Sequence, residues 1–320
     1  MAKLQSTEIV GVANRPETIC VDTVCLWFDT TNKMPMVSYY GYGAGTWSAG
    51  GALATARYGL AGAGTQNESF VTGGYSGVYT SCTEEYNGTS WSTGGSLITA
   101  RHLPTGAGTQ NAGLVMGGTT GGAPGVTCTE EYNGTSWSAG GVLITPRYGM
   151  ATGAGTQNEG LVSGGYSNSA SSCTEEYNGT SWSAGGALIT ARYYLAGAGT
   201  QNAGLVAGGN NGANLSCTEE YNGTSWLAGG ALATARNSLA VAGTQNAGLA
   251  AGGAVNIGVS CTEEYNGTFW STGAVMVTAR GILAGAGTND AGLVAGGCAG
   301  TYVSCTEEYN KPLQIIDCFL

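Results

Sequence analysis

The chain has 320 residues, 58 of them glycine, with 42% hydrophobic and only 9% charged side chains. The hydrophobic content excludes a disordered chain, the lack of a Gly-X-Y period excludes collagen, and the length suffices for a large domain with its own core. The net charge of −10 comes mainly from six Glu-Glu pairs, and six of the ten basic residues recur in a repeat, which leaves no basic stripe for nucleic acid.

Residues 1–13 have no apolar core of signal-peptide length, and no run of about 18 apolar residues follows, so a chain made in the cytoplasm and not inserted in a membrane is expected. Residues 1–42 are non-repetitive. Within them "TVCLWFDTTNKMPMVSYYG" (residues 23–41) reads as two strands around an Asp-Thr-Thr-Asn-Lys turn, and Cys20 and Cys25 are candidates for a pair. This stretch resembles the "LWYDTTT…YYNGTW" hairpins of bacteriophage fibre and structural proteins over about 25 residues. The resemblance implies an anchoring segment that engages other virion proteins.

From residue 43 a repeat takes over. Tryptophans fall at Trp47, Trp91, Trp137, Trp182, Trp226 and Trp270, 44 to 46 residues apart. The ten letters "CTEEYNGTSW" begin at Cys82 and return at Cys128, Cys173 and Cys217, and with Phe269 for serine at Cys261. Each unit holds four strand-like runs, as a propeller blade requires. In one unit these are "LAGAGT" (195–200), "AGLVAGG" (203–209), "SCTEEYN" (216–222) and "SWLAGG" (225–230). Asn222-Gly223 makes a tight hairpin, because both residue types tolerate φ > 0. Helical spacing is absent.

The sixth copy stops at Asn310, and an orphan "GTWSAGG" stands at residues 45–51. Together they complete one blade. The expected fold is therefore all-β, a six-bladed propeller of four-stranded antiparallel blades over residues 43–310. The strand near Trp47 pairs with the strand near Tyr309 and closes the ring. Closure hides the edge strands that an open solenoid, the alternative, leaves bare. A Gly-Gly pair ending one strand, Glu-x-Tyr on the next, Trp after a short turn and then "TAR" is similar to kelch repeats. The likeness spans residues 46–310 and departs from kelch usage in its near-identical, Gly/Ala-rich units. The remaining residues 311–320, "KPLQIIDCFL", form a short apolar tail that packs under the ring or docks on a partner.

Paired carboxylates suggest acid–base chemistry, but neighbours on a strand point to opposite faces. Six copies of one catalytic site are also implausible. The first glutamates, Glu84, Glu130, Glu175, Glu219, Glu263 and Glu307, are read as partners of Arg57, Arg101, Arg147, Arg192, Arg236 and Arg280 in the "TAR" turns ("TPR" at Arg147), in their own or a neighbouring blade. The second glutamates are read as solvated charges, and the tryptophans as packing between blades. The repeated cysteines are expected to be small, buried and reduced, with Cys298 and Cys305 a weak pair candidate. "NGT" is read as a hairpin turn rather than a glycosylation site. His102 is the only histidine, so neither a zinc site nor the copper chemistry of some kelch-type oxidases is expected. No cofactor, metal or catalytic residue is assigned, and no enzymatic activity is expected. A hydrolase in the central channel would need clustered acids outside the repeat frame, and those acids are scattered.

The units vary freely after each Gly-Gly pair and after each "TAR" (or "TPR"), whereas the Gln-Asn and Asn-Gly turns barely change. In an antiparallel four-stranded blade the two variable segments emerge on the same side. They carry Tyr58, Tyr75, Tyr79, His102, Tyr148, Tyr166, Tyr193, Tyr194, Asn210, Asn211, Asn237 and Tyr302, the composition of an adaptable binding surface. These residues form the candidate ligand-binding face. The combined expectation is a bacteriophage virion protein, a fibre, tail or head-decoration component made in the host cytoplasm, that meets a host surface receptor or glycan. An intracellular kelch-type interaction scaffold is the alternative. Homo-oligomerisation is left open.

Overall fold

The computed structural model describes residues 19–21, 24–29, 34–150 and 153–319, with side chains for 43–150 and 153–312. The chain divides into two units, Thr46–Asn310 and a second built from Met1–Gly45 with Lys311–Leu320.

The larger unit is a six-bladed β-propeller, each blade a four-stranded antiparallel sheet. In the fourth blade the strands are Ala196–Thr200, Ala203–Ala207, Thr218–Tyr221 and Trp226–Ala228, from the axis outward. The inner strand is Ala-Gly-Ala-Gly because inner strands of neighbouring blades nearly touch around the axis. A Cβ on Gly62 would lie 2.9 Å from the Ala284 Cβ of the sixth blade. The innermost strands are therefore mostly alanine and glycine, with Thr105 and Val241 among the larger exceptions. The second strand supplies the core. Its leucine fits over a glycine of the next blade, as Leu114 does at Gly160 and Leu161 at Gly204. In the first blade Phe70 takes the leucine's place, over Gly113.

The ring closes with strands from both ends of the unit. Ala284–Gly287, Ala291–Ala295 and Thr306–Asn310 are joined at the outer edge by Thr46–Ala49. Trp47 pairs with Tyr309 and Thr46 with Asn310, all antiparallel. The cut copy of the repeat is thus completed by the orphan strand.

The smaller unit is a four-stranded sheet in the order Ile19–Val21, Val24–Asp29, Met34–Tyr42, Leu313–Phe319. The central two strands are the hairpin expected from "TVCLWFD" and "MPMVSYYG"; its turn, residues 30–33, lies outside the described residues. The backbone register sets Cys20 opposite Cys25. The tail was expected as a separate segment. It instead runs antiparallel to the long hairpin strand, with Ile316 opposite Tyr39. Its alternating Leu, Ile and Phe fit a strand, and that pairing satisfies its backbone.

Candidate functional site

The repeated residues stitch the ring and leave one face free to vary. Each first glutamate pairs with the arginine of its own blade, at 2.9 Å for Arg101–Glu130 and 3.0 Å for Arg192–Glu219. All six arginines are fully buried. The carboxylate also holds the chain leading to that arginine: Ile189 and Thr190 N–H donate to Glu219. Burial pulls the pKa of Arg101, Arg147 and Arg192 downward, and the facing carboxylates oppose that shift.

The second glutamates are half-buried and hydrogen-bonded rather than free solvated charges. Each accepts a hydrogen bond from the tyrosine of the following blade: Tyr132 to Glu85, Tyr177 to Glu131 and Tyr221 to Glu176 at 2.5 Å, continuing to Tyr86 on Glu308 at the closure. The strand alternation that hides the first carboxylate in its own blade turns the second toward its neighbour. Tyr309 donates likewise to Glu264.

Two more chains run around the ring. Tryptophan Nε1 donates to the threonine just before the glutamates of the preceding blade, as in Trp137 to Thr83 and Trp226 to Thr174, both 2.9 Å. Trp47 reaches Thr262 in the same way at 3.0 Å. The glutamine of each Gln-Asn turn donates to carbonyls of the preceding blade, as Gln201 does to Gly160 and Tyr177. These glutamines, read from sequence only as turn residues, are interblade clamps. The asparagine of each Asn-Gly turn accepts from the backbone two and three residues on, Asn178 from Thr180 and Ser181.

The cysteines differ from expectation. Cys82 and Cys173 are exposed, and Cys128, Cys217, Cys261, Cys298 and Cys305 are half-buried; all seven are free. Four accept a contact from the neighbouring arginine, as Cys128 does from Arg101 at 3.0 Å and Cys305 does from Arg280. The cysteine lies where its strand emerges toward the loops, so packing does not enclose it.

On that loop side the two variable segments of each blade meet. Tyr58 bridges to Tyr75 and Tyr75 to Tyr79; Tyr148 bridges to Tyr166, Tyr193 to Asn210, and Cys298 to Tyr302. The candidate residues fall into three groups. Tyr58, Tyr75, Tyr79, His102 and Tyr302 form one aromatic cluster, with Tyr58–His102 centroids 4.8 Å apart and Tyr58–Tyr302 5.0 Å. Tyr148, Tyr166, Tyr193 and Tyr194 form a second, with Tyr166–Tyr193 at 5.2 Å and Tyr193–Tyr194 at 5.0 Å. Asn210 and Asn237 both donate to the Asn214 side chain, at 3.2 and 2.6 Å, and Asn211 is exposed beside them. Tyr79 and Tyr302 are 36% and 41% exposed, so their rings are available to a ligand.

This face is uncharged. No Lys, Arg, Asp or Glu occurs in the variable segments. Burial pushes the His102 pKa down to about 4 and the Tyr194 hydroxyl up to about 12. Burial, then the nearby tyrosines, raise Tyr58 and Tyr148 as well. His102, Tyr58, Tyr148 and Tyr194 are therefore neutral at pH 7.

At the centre of the face lies a feature absent from the sequence expectations. The residues two places after the arginines are Gly59, Leu103, Gly149, Tyr194, Ser238 and Ile282, and all six have φ between 53° and 63°. Each donates its backbone N–H to the carbonyl of its counterpart in the preceding blade: Leu103 to Gly59, Tyr194 to Gly149 and Ser238 to Tyr194 at 2.7 Å, and Gly59 to Ile282 at 3.0 Å. The result is a closed collar around the axis. Four of its members are not glycine, and such left-handed residues carry about 1–3 kcal/mol of strain each. The two glycines at this position were the only sequence signal. Inside the collar a cavity of about 60 Å³ is lined by Leu60, Leu103, Met150, Leu195, Leu239 and Ile282, among others.

No protein-family model matches the chain, and no curated protein is similar to it in sequence.

Proposed function

We propose that this chain is a non-enzymatic attachment protein, a kelch-like propeller of a bacteriophage virion whose variable face meets a host-surface receptor, with a neutral glycan as its ligand. One observation carries the reading: the segments in which the units differ converge on one face. There they gather nine tyrosine and histidine rings and a cluster of asparagines with no charge. Rings stack on the apolar faces of sugars, and amides bond their hydroxyls. The repeated carboxylates, in contrast, are consumed by Arg and Tyr partners within and between blades, which speaks against a catalytic pair.

The virion assignment rests on the resemblance of the hairpin to phage fibre proteins, and other virion proteins are the partners expected for that segment. A glycan panel and a cell-adsorption assay test the reading. Retention on neutral glycans, weakened by Tyr79→Ala and Tyr302→Ala, is expected. Retention on no glycan, with selective capture of an intracellular protein through the same face, would favour the interaction-scaffold alternative.

A further inference from the structure

The axial cavity sits in the middle of the face just assigned to attachment, and it has the properties of an anchor subsite. It is lined by aliphatic residues, among them Leu103 and Ile282, and also by Thr105, Ser238 and glycines such as Gly62 and Gly106, which offer only backbone. Its volume of about 60 Å³ exceeds that needed for one water, taken as roughly 10–15 Å³ on the same measure. Two polar features mark the rim. The Ser238 hydroxyl donates to Asn237 Oδ1 at 2.7 Å, and the Tyr194 ring lies over Gly149. A small pocket of mixed lining suits a short substituent that is itself part apolar and part polar.

The collar keeps this mouth open at a cost. Leu103, Tyr194, Ser238 and Ile282 hold φ of 53° to 58°, although none of them is glycine. Strain of this kind persists where surrounding structure imposes it, and it clusters at ligand clamps and other functional sites. The closed chain of backbone hydrogen bonds is what imposes it here.

We infer that the cavity takes the methyl group of an acetamido substituent, with the amide at the Tyr194–Ser238 rim and the uncharged saccharide rings on the surrounding tyrosines. The ligand class is thus a neutral N-acetylated glycan. A carboxylated or phosphorylated sugar is disfavoured, because every arginine of the propeller is buried in an ion pair and residues 46–310 contain no lysine. An anion on this face would find no fixed countercharge. This inference rests on the attachment reading above.

The test compares two neutral oligosaccharides, chitotetraose and cellotetraose, which differ only in acetamido against hydroxyl at C2. Calorimetric titration of the full chain should give chitotetraose a roughly three- to tenfold advantage, the gain expected from burying one methyl and its amide. Ser238→Leu narrows the cavity with a residue the collar already holds at Leu103 with φ of 53°, so the fold should survive. An unchanged urea midpoint checks this. Ser238→Leu should abolish the preference. Equal affinity for the two sugars, or a preference that persists in Ser238→Leu, overturns the inference and leaves glycan attachment standing. Binding of neither sugar also overturns it. If the broader glycan panel is silent too, the attachment reading falls with it.

Discussion

Replacing Glu175 with glutamine tests whether the reiterated carboxylates are structural. Glu175 accepts Arg147 Nη2 at 2.9 Å and the Ile144 and Thr145 backbone N–H groups at 2.7 and 3.2 Å. Arg147 has no exposed surface, and the Glu175 side chain is 2% exposed. Glutamine keeps an acceptor for the backbone groups but strips the countercharge from a guanidinium that water cannot reach. Breaking a buried pair in this way costs about 3–5 kcal/mol. Glu175→Ala should cost more, because two backbone donors also lose their acceptor, at about 1–3 kcal/mol each. Arg147→Met with Glu175→Leu removes both charges and should recover most of the loss, since apolar replacements of buried pairs are often near neutral. Urea unfolding followed by circular dichroism gives the free energies. The equivalent Glu219→Gln, beside Arg192, serves as an internal replicate and should agree within about 1 kcal/mol. A loss below about 1 kcal/mol at Glu175, or a double variant worse than the single, would refute the assignment.

Three further outcomes follow from the ring. A Thr46→Cys/Asn310→Cys pair joins register partners at the closure and spans nearly the whole propeller, so an intramolecular disulfide there should stabilise it by up to about 5 kcal/mol; a crosslink between chains, seen on a non-reducing gel, would contradict the closure. Gly204→Ala would bring a Cβ within 2.5 Å of Leu161 Cδ2 and should cost about 1–3 kcal/mol, whereas Gly121→Ala meets nothing within 4 Å and should be nearly neutral in the same unfolding assay. Burial, reinforced by the interblade glutamates, pushes Tyr86, Tyr132, Tyr221 and Tyr265 up to about 12. A raised tyrosine pKa contributes stability that is complete below the unfolded value near 10 and lost as pH climbs through the folded value. Stability should therefore fall between about pH 10 and 12, and Tyr132→Phe should flatten that fall; an unchanged alkaline slope would count against the interblade bonds.

What could be read from the sequence was whatever depends on spacing. The 44- to 46-residue period, the cut at Asn310 and the orphan strand at Trp47 are enough to infer six blades and the closure. The pairing of the first glutamates with "TAR" arginines was also accessible, because strand alternation fixes which carboxylate faces inward. The second glutamates were misread because their partner lies on another blade. Period-2 reasoning gives a side chain's direction but not what the neighbouring sheet presents. The glutamine clamps were hidden for the same reason. The collar was harder still, since the residue types at Leu103, Tyr194 and Ile282 give no sign of positive φ. Only Gly59 and Gly149 at the same position hint at it.

The interblade chains also account for the near-identity of the units. A tyrosine in one blade needs the second glutamate of the blade before it, its tryptophan needs that blade's threonine, and its glutamine needs that blade's carbonyls. A change in one copy of "CTEEYNGTSW" therefore strands a buried group in the next copy, and a closed ring has no end blade at which the dependence stops. The departures follow this logic. Asn289 replaces glutamine in the sixth blade and still reaches the Gly248 carbonyl at 2.7 Å. Phe269 replaces a serine whose side chain only supplements the Asn turn, and its backbone N–H still donates to the Asn266 side chain while its carbonyl accepts from the Asn266 N–H. The loops beyond Gly-Gly and "TAR" do touch across blades, as Asn237 does Asn214 and Asn214 the Val255 carbonyl, but these contacts are particular to one pair of blades; only the backbone collar recurs in every copy, and any residue able to hold positive φ can join it. Freedom to vary and freedom to bind thus have one physical origin: these are the side chains that the ring does not use.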